Sequence, residues 1–143
     1  MSEAAPKYTF GIEDHASLED VQAVEDGLDD YNRAFIRSDY QELRIIVRGE
    51  SGYVAGGLLG DRDWGWLHIR IFWLEAAARR QGLGSKLLAM AEDEGRRRGC
   101  KYAYLNTVSF QARPFYEKKG YELFATQEDY PVGHSRWFMK KTL

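Results

Sequence analysis

The apolar positions of this chain change period several times, and each change marks an element. From Val21 through Val24, Leu28 and Tyr31 to Phe35 they recur at helical steps. Ser17 stands before them as an N-cap, with Asp20 at the spacing of a capping box. Gly27 and the acidic run Glu25, Asp26, Asp29 and Asp30 predict a weak point in this helix, which Ser38-Asp39 ends. Ahead of it, Lys7 to Ile12 reads as a first strand. Glu42 to Arg48 is rich in β-branched residues, Gly49 to Gly52 has hairpin character, and Tyr53 to Leu59 is the return strand. Within that strand, Gly56-Gly57 predicts a bulge or a close backbone approach. Gly60 to Asp63 reads as the next turn, before an apolar strand from Trp66 to Leu74.

The helical period returns at Leu83, Leu87, Leu88, Ala91 and Gly95, with Lys86, Asp93 and Arg97 opposite and Gly99 as the C′ residue. Tyr102 to Asn106 is a short buried strand, parallel to Trp66–Leu74. Pro114 fits the first turn of a short helix that Gly120 stops. Tyr121 to Thr126 and Arg136 to Lys141 close the chain as two strands, joined by an acidic loop. Antiparallel hairpins thus lead into a strand that crosses over through a helix. The sheet is therefore mixed, the fold class is α/β of the α+β kind, and residues 1–143 read as one domain.

Composition narrows the function. A net charge of −2 lacks the basic excess of a nucleic-acid binder, and the arginines cluster near 79–80 and 96–98. Aromatic residues at 14% suit an aromatic-lined groove or a well-filled core. Cys100 is the sole cysteine, which excludes an internal disulfide and a cysteine metal cluster; no metal is expected. Met1 to Phe10 lacks the apolar core of a signal peptide, and no apolar run reaches the roughly eighteen residues of a membrane span. A reducing cytoplasm is the default location.

The candidate chemistry begins where the strand Trp66–Leu74 gives way to Arg79-Arg80-Gln81-Gly82-Leu83-Gly84-Ser85 and a helix. Strand, glycine-rich turn and helix make an anion site, because the first amides of a helix have no internal partner and lie at the positive end of its dipole. Gly82 and Gly84 leave room for a phosphate against the backbone, and Arg79 and Arg80 add charge. The spacing fits neither a nucleoside triphosphate loop nor a dinucleotide fingerprint; Leu87 sits where the latter needs a third glycine.

Arg79-x-x-Gly82-x-Gly84 does resemble the pyrophosphate-binding segment of the GCN5-related N-acetyltransferase (GNAT) family. A second segment, Ser109 to Tyr121, resembles that family's Asn-x-x-Ala and Tyr-Glu-Lys-x-Gly-Phe signature. Ala112, Tyr116, Glu117, Lys118 and Gly120 match it; Ser109 replaces the usual Asn and Tyr121 the usual Phe. The resemblance implies a GNAT fold of about seven strands and four helices. In it the fourth and fifth strands, Trp66–Leu74 and Tyr102–Asn106, run parallel and splay at their ends. It implies acetyl-coenzyme A as cosubstrate, with the acetyl group passing directly to a primary amine in a ternary complex.

By the same resemblance, Phe72, Trp73 and Leu74 lie at a bulge beside the thioester, where the Leu74 amide polarises its carbonyl. Arg79, Arg80, Gln81, Gly82, Leu83, Gly84 and Ser85 bind the diphosphate, and Ser109 and Ala112 contact the cofactor. Tyr116 protonates the departing thiolate, the alternative being a core tyrosine tied to the backbone. His68 is the candidate base, sixteen residues before Gly84; alternation would put it on one face with Trp66, Arg70 and Phe72. A histidine merely satisfied within the sheet is the competing reading. His15 and His134 read as structural.

The acceptor is a small-molecule or peptide amine, with no nucleic-acid or membrane partner, and a homodimer is compatible with the resemblance. Asp29, Asp30, Asp61, Asp63, Glu128 and Asp129 could form an acidic mouth for a cationic amine, although solvated loop charge is the preferred reading. Trp64, Trp66 and Tyr130 are candidates for an aromatic pocket. A non-catalytic acyl-coenzyme A sensor or scaffold is the alternative function, and Tyr116 argues against it, since a sensor needs no proton donor beside sulfur.

Overall fold

The computed structural model describes residues 5–143, in two units that divide between Ser38 and Asp39. The first holds helix α1 (Leu18–Asn32), with Ser17 as its N-cap, the hydroxyl accepting the Asp20 amide at 3.1 Å. The helix runs unbroken through Gly27. A single glycine costs about 1 kcal/mol against alanine, too little by itself to break a capped helix of 15 residues. An exposed Gln22–Asp26 side-chain bond at 2.9 Å spans the turn just before it. The expected first strand is not there. Residues 7–12 enter no ladder, and without a partner strand an extended segment leaves its amides to water.

The second unit is a six-stranded sheet in the order β1-β2-β3-β4-β6-β5. Its strands are β1 (Gln41–Arg48), β2 (Val54–Asp63), β3 (Trp66–Leu74), β4 (Tyr102–Val108), β5 (Glu122–Glu128) and β6 (Ser135–Thr142). Helix α2 (Leu83–Arg97) crosses from β3 to β4, and the short α3 (Arg113–Lys118) precedes β5. All pairings are antiparallel except β3 with β4. Six strands and three α-helices, among the described residues, replace the expected seven and four.

Gly60–Asp63 is not the turn its composition suggested. It completes β2, with Asp61 paired to Glu42 on one side and His68 on the other. Two flanking ladders outweigh local turn preference, and the reversal falls instead at Trp64 and Gly65, both at positive φ. Gly57 fits the predicted close approach: a Cβ there would collide with the Ile45 carbonyl oxygen.

Helix α2 lies on one face of the sheet. Its buried Leu87, Leu88 and Ala91 share a core with Leu58, Leu67, Ile69, Leu105 and Met139. Gly95 brings it close to β3, since a Cβ at that position would sit 3.2 Å from a Leu67 methyl. Buried Glu92 accepts two bonds from Lys141 Nζ, at 2.7 and 2.8 Å, which ties α2 to β6.

Two irregularities in β3 shape everything that follows. Leu59 pairs with Ile71 and Gly60 with Ile69, so Arg70 is an extra residue, a β-bulge. The bulge reverses the alternation beyond it. Phe72 therefore shares the helix-bearing face with Leu67 and Ile69, not the face of Trp66 and His68 that strict alternation predicts. It also stands at Arg70, two residues ahead of Phe72–Leu74. The second irregularity is that β3 and β4 pair only from Trp66↔Tyr102 to Ile69↔Leu105, although they continue to Leu74 and Val108. Past that point they part, as the resemblance implied.

Candidate active site

The parted strand ends open a cavity of about 900 Å³, lined by residues from Ile69 to Leu74 on one side and Leu105 to Val108 on the other. Glu75 N donates to Ala55 O at 2.8 Å, which makes Leu74↔Gly56 a non-hydrogen-bonded pair in the β2–β3 ladder. The Leu74 amide consequently points away from β2, toward the side that β4 has vacated. Arg79 Nε holds the Leu74 carbonyl at 2.9 Å and keeps the strand end in place.

One end of the cavity is closed by the start of α2. Gly82 is its N-cap at φ 77, with no side-chain cap bond, and no acidic residue occupies the first turn. The first intrahelical bond is Lys86 N to Gly82 O, at 3.1 Å. The amides of Leu83, Gly84 and Ser85 are thus left without partners inside the helix. Arg80 also sits at positive φ, 61°, a conformation that costs a non-glycine residue about 1 kcal/mol or more. The turn therefore combines free amides, a helix dipole and the charges of Arg79 and Arg80, a set suited to a diphosphate.

The opposite wall comes from the segment between β4 and α3. Gln111 Oε1 accepts the Val108 amide at 2.8 Å, and Thr107 Oγ1 accepts the Ala112 amide at 3.3 Å. These bonds turn the chain sharply, so that α3 starts beside the cavity with Ala112, Phe115 and Tyr116 in its lining. Tyr116 is 7% exposed, and its ring meets Phe72, Phe115 and Tyr121 edge to face. Its hydroxyl is not among the buried atoms lacking a partner and has no protein partner among the described residues. It is therefore not tied to the backbone. Burial pushes its pKa up to about 12.

Of the residues anticipated for the site, Phe72, Trp73, Leu74, Arg79, Arg80, Gly82, Gly84, Ser85, Ala112 and Tyr116 line this one cavity. Gln81, Leu83, Ser109 and His68 do not. Gln81 bonds the Ala77 carbonyl at 2.7 Å. The Ser109 hydroxyl accepts the Ser135 amide and lies 2.9 Å from His134 Nδ1, which fastens it to the start of β6. His68 stacks on Tyr104 at 4.4 Å between centroids, with Nδ1 3.5 Å from Asp61 Oδ2. It stands one residue below the point where the strands part, on the face opposite α2. Tyr104 beside it has its pKa raised, by burial first and then by Asp61 and Asp63.

Tyr130 lines the cavity, whereas Trp64 and Trp66 do not, and none of Asp61, Asp63, Glu128 and Asp129 reaches it. Residues not anticipated for the site also appear in the lining, among them Ile71, Asn106, Phe110, Gln111 and Arg136. Asn106 is legible as a strand end beside the parting. Arg136 needs the β4–β6 register, Val108↔Arg136, which no local signal contains.

A sheet split between two parallel strands, with a helix N-terminus at one end of the split and a tyrosine in its wall, is the arrangement that the family resemblance implied. Comparison with known proteins agrees. Residues 11–121 match the Acetyltransferase (GNAT) family. The chain is 38% identical over 133 residues to an acetyltransferase of Agrobacterium fabrum, covering 92% of this chain and 97% of that protein. It is 40% identical over 134 residues to blasticidin-S acetyltransferase of Streptomyces morookaense, covering 89% of this chain and 98% of that one. The crystal structure of an acetyltransferase from Bacillus cereus superposes with a TM-score of 0.83 at 30% identity, over 96% of this chain and 98% of its own. The chain belongs to the GNAT family and is an acetyltransferase.

Proposed function

We propose that the protein transfers the acetyl group of acetyl-coenzyme A to a primary amine of a small molecule in a ternary complex. The observation that carries this reading is the split between β3 and β4, which joins the free amides at the start of α2 to the Tyr116 hydroxyl in one cavity. The diphosphate sits on the amides of the Gln81–Ser85 turn, and the thioester runs along the split. The Leu74 amide donates to the acetyl oxygen as negative charge develops there. The amine nitrogen attacks the carbonyl carbon, the carbon–sulfur bond breaks, and Tyr116 gives its proton to sulfur. Trp73 and Phe72 border the acetyl group, and Ala112 places the first turn of α3. The family match starts at residue 11 and runs past the division after Ser38, which supports one acetyltransferase domain over residues 1–143.

His68 is the proposed base. It sits outside the cavity lining, so it accepts the amine's proton through water rather than by contact. His68→Gln is expected to lower kcat/KM about 10-fold at neutral pH, below the range of a directly positioned base, and to recover in alkali, where free amine is plentiful. A variant whose pH profile overlays that of the parent removes His68 from the mechanism.

The relative that acetylates blasticidin S, by its name, supports a small-molecule acceptor over a peptide. The test is a screen of amines with acetyl-coenzyme A, read by thiol release. Release that depends on an amine is the expected result. Acetyl-coenzyme A binding with no release for any amine would favour a sensor.

A further inference from the structure

Among the described residues, the cavity is lined by Arg70, Arg79, Arg80 and Arg136 and by no aspartate or glutamate. Arg79 and Arg80 belong to the turn before α2 and face the proposed diphosphate. Arg70 and Arg136 are placed elsewhere. Arg70 is the bulge residue of β3, exposed, and its guanidinium has no ion pair or hydrogen bond among the described residues. Arg136 lies at the start of β6, on the sheet face opposite α2, because its neighbours Met139 and Lys141 point to the helix side.

Arg136 is held as a recognition group is held. Its guanidinium carbon lies 4.0 Å above the Tyr130 ring and 5.0 Å from the centroid of Phe138. Nε donates to Gln127 Oε1 at 2.9 Å, which leaves both terminal nitrogens for a ligand. The two ring contacts and the single side bond restrain the fork before anything binds, so less further entropy is lost on binding.

We infer that the acceptor carries an anionic group, a carboxylate, beside the amine that is acetylated, and that Arg136 receives it with Arg70 as a second charge. This rests on the acetyltransfer proposed above. A half-buried guanidinium that makes no ion pair among the described residues is better satisfied by an anion than by a neutral group, and its fork fits a carboxylate with two parallel bonds. The same lining disfavours acceptors with several ammonium groups, since among the described residues it holds no side-chain carboxylate to receive the second.

The test compares ω-amino acids of two to six carbons with the primary amides of the same acids, at equal free-amine concentration. The carboxylate series is expected to show kcat/KM at least about 10-fold higher, the scale of one charge-assisted pair. In Arg136→Gln that ratio should fall to near unity, with the loss in acceptor KM, while KM for acetyl-coenzyme A holds. Arg136→Lys should keep part of the ratio, because it retains charge but not the stacked fork. If Arg136→Gln fails to fold, Arg70→Gln should reduce the ratio in the same direction. Equal turnover of acids and amides, a preference for diamines, or a rise in KM for acetyl-coenzyme A in place of the acceptor's would each overturn the inference. If neither series is acetylated, the pairs are titrated calorimetrically into protein holding coenzyme A. Selective binding of the acids sustains the inference, and equal or absent binding ends it. Direct titration of acetyl-coenzyme A reports separately on the parent reading.

Discussion

Gly84→Trp is expected to abolish acetyl-coenzyme A binding, with affinity falling by more than about 100-fold, the equivalent of two charge-assisted bonds from backbone to phosphate. A Cβ at Gly84 would lie 3.6 Å from Phe115 Cζ and 3.7 Å from Phe72 Cζ, ordinary contact distances. Alanine should therefore fold without strain. An indole extends well past those rings, and the space ahead of them is the cavity itself. It would cover the amides of the first turn of α2 and fill the place of the diphosphate. Calorimetry on the parent, Gly84→Ala and Gly84→Trp checks the assignment, with circular dichroism confirming that each variant is folded. Unchanged affinity in the tryptophan variant would move the diphosphate away from this turn.

Much of this site is legible in the amino-acid sequence, because it is built from local signals. A strand followed by two spaced glycines and an amphipathic helix states its own geometry, and Gly82 at positive φ with α2 starting at Leu83 is what that pattern requires. Pro114 places α3 equally locally. What the sequence hides is register. One inserted residue at Arg70 moves Phe72 to the opposite face, and period-two counting cannot see an insertion that only the partner strand reveals. The same holds for Gly60–Asp63, turn-like in composition yet held extended between two ladders. Arg136 and Tyr130 come to the cavity through pairing with β4 and packing over the sheet, at long sequence separation from the glycine turn. The alternative of an acidic mouth, less favoured than solvated charge, finds no support in the lining: β2, the end of β5 and the loop after it keep Asp61, Asp63, Glu128 and Asp129 out of it.

Tyr116→Phe should lower kcat about 100-fold, the low end for a positioned general acid, with acetyl-coenzyme A affinity retained. Phenylalanine keeps the ring and hence its edge-to-face contacts with Phe72, Phe115 and Tyr121, so the substitution isolates the hydroxyl. The direction of the pKa shift bears on the chemistry. Burial pushes the phenol up to about 12, which makes it a weaker donor than a free tyrosine, whose pKa is about 10. Against a thiol of pKa about 8.5 in water the transfer is uphill. In the proposed mechanism, however, the departing sulfur leaves in the same split, where desolvation would raise its basicity as it raises that of the phenolate. Both would then shift together, with Tyr116 lining the cavity in which the charge develops. Because a raised pKa keeps the phenol protonated at every lower pH, Tyr116 should contribute no falling alkaline limb to kcat below about pH 12. The measurement is single-turnover thiol release across pH 6 to about 10 in parent and variant. A uniform loss of rate with unchanged profile shape is expected. Parental turnover in Tyr116→Phe would assign the residue to packing alone and leave the proton to water.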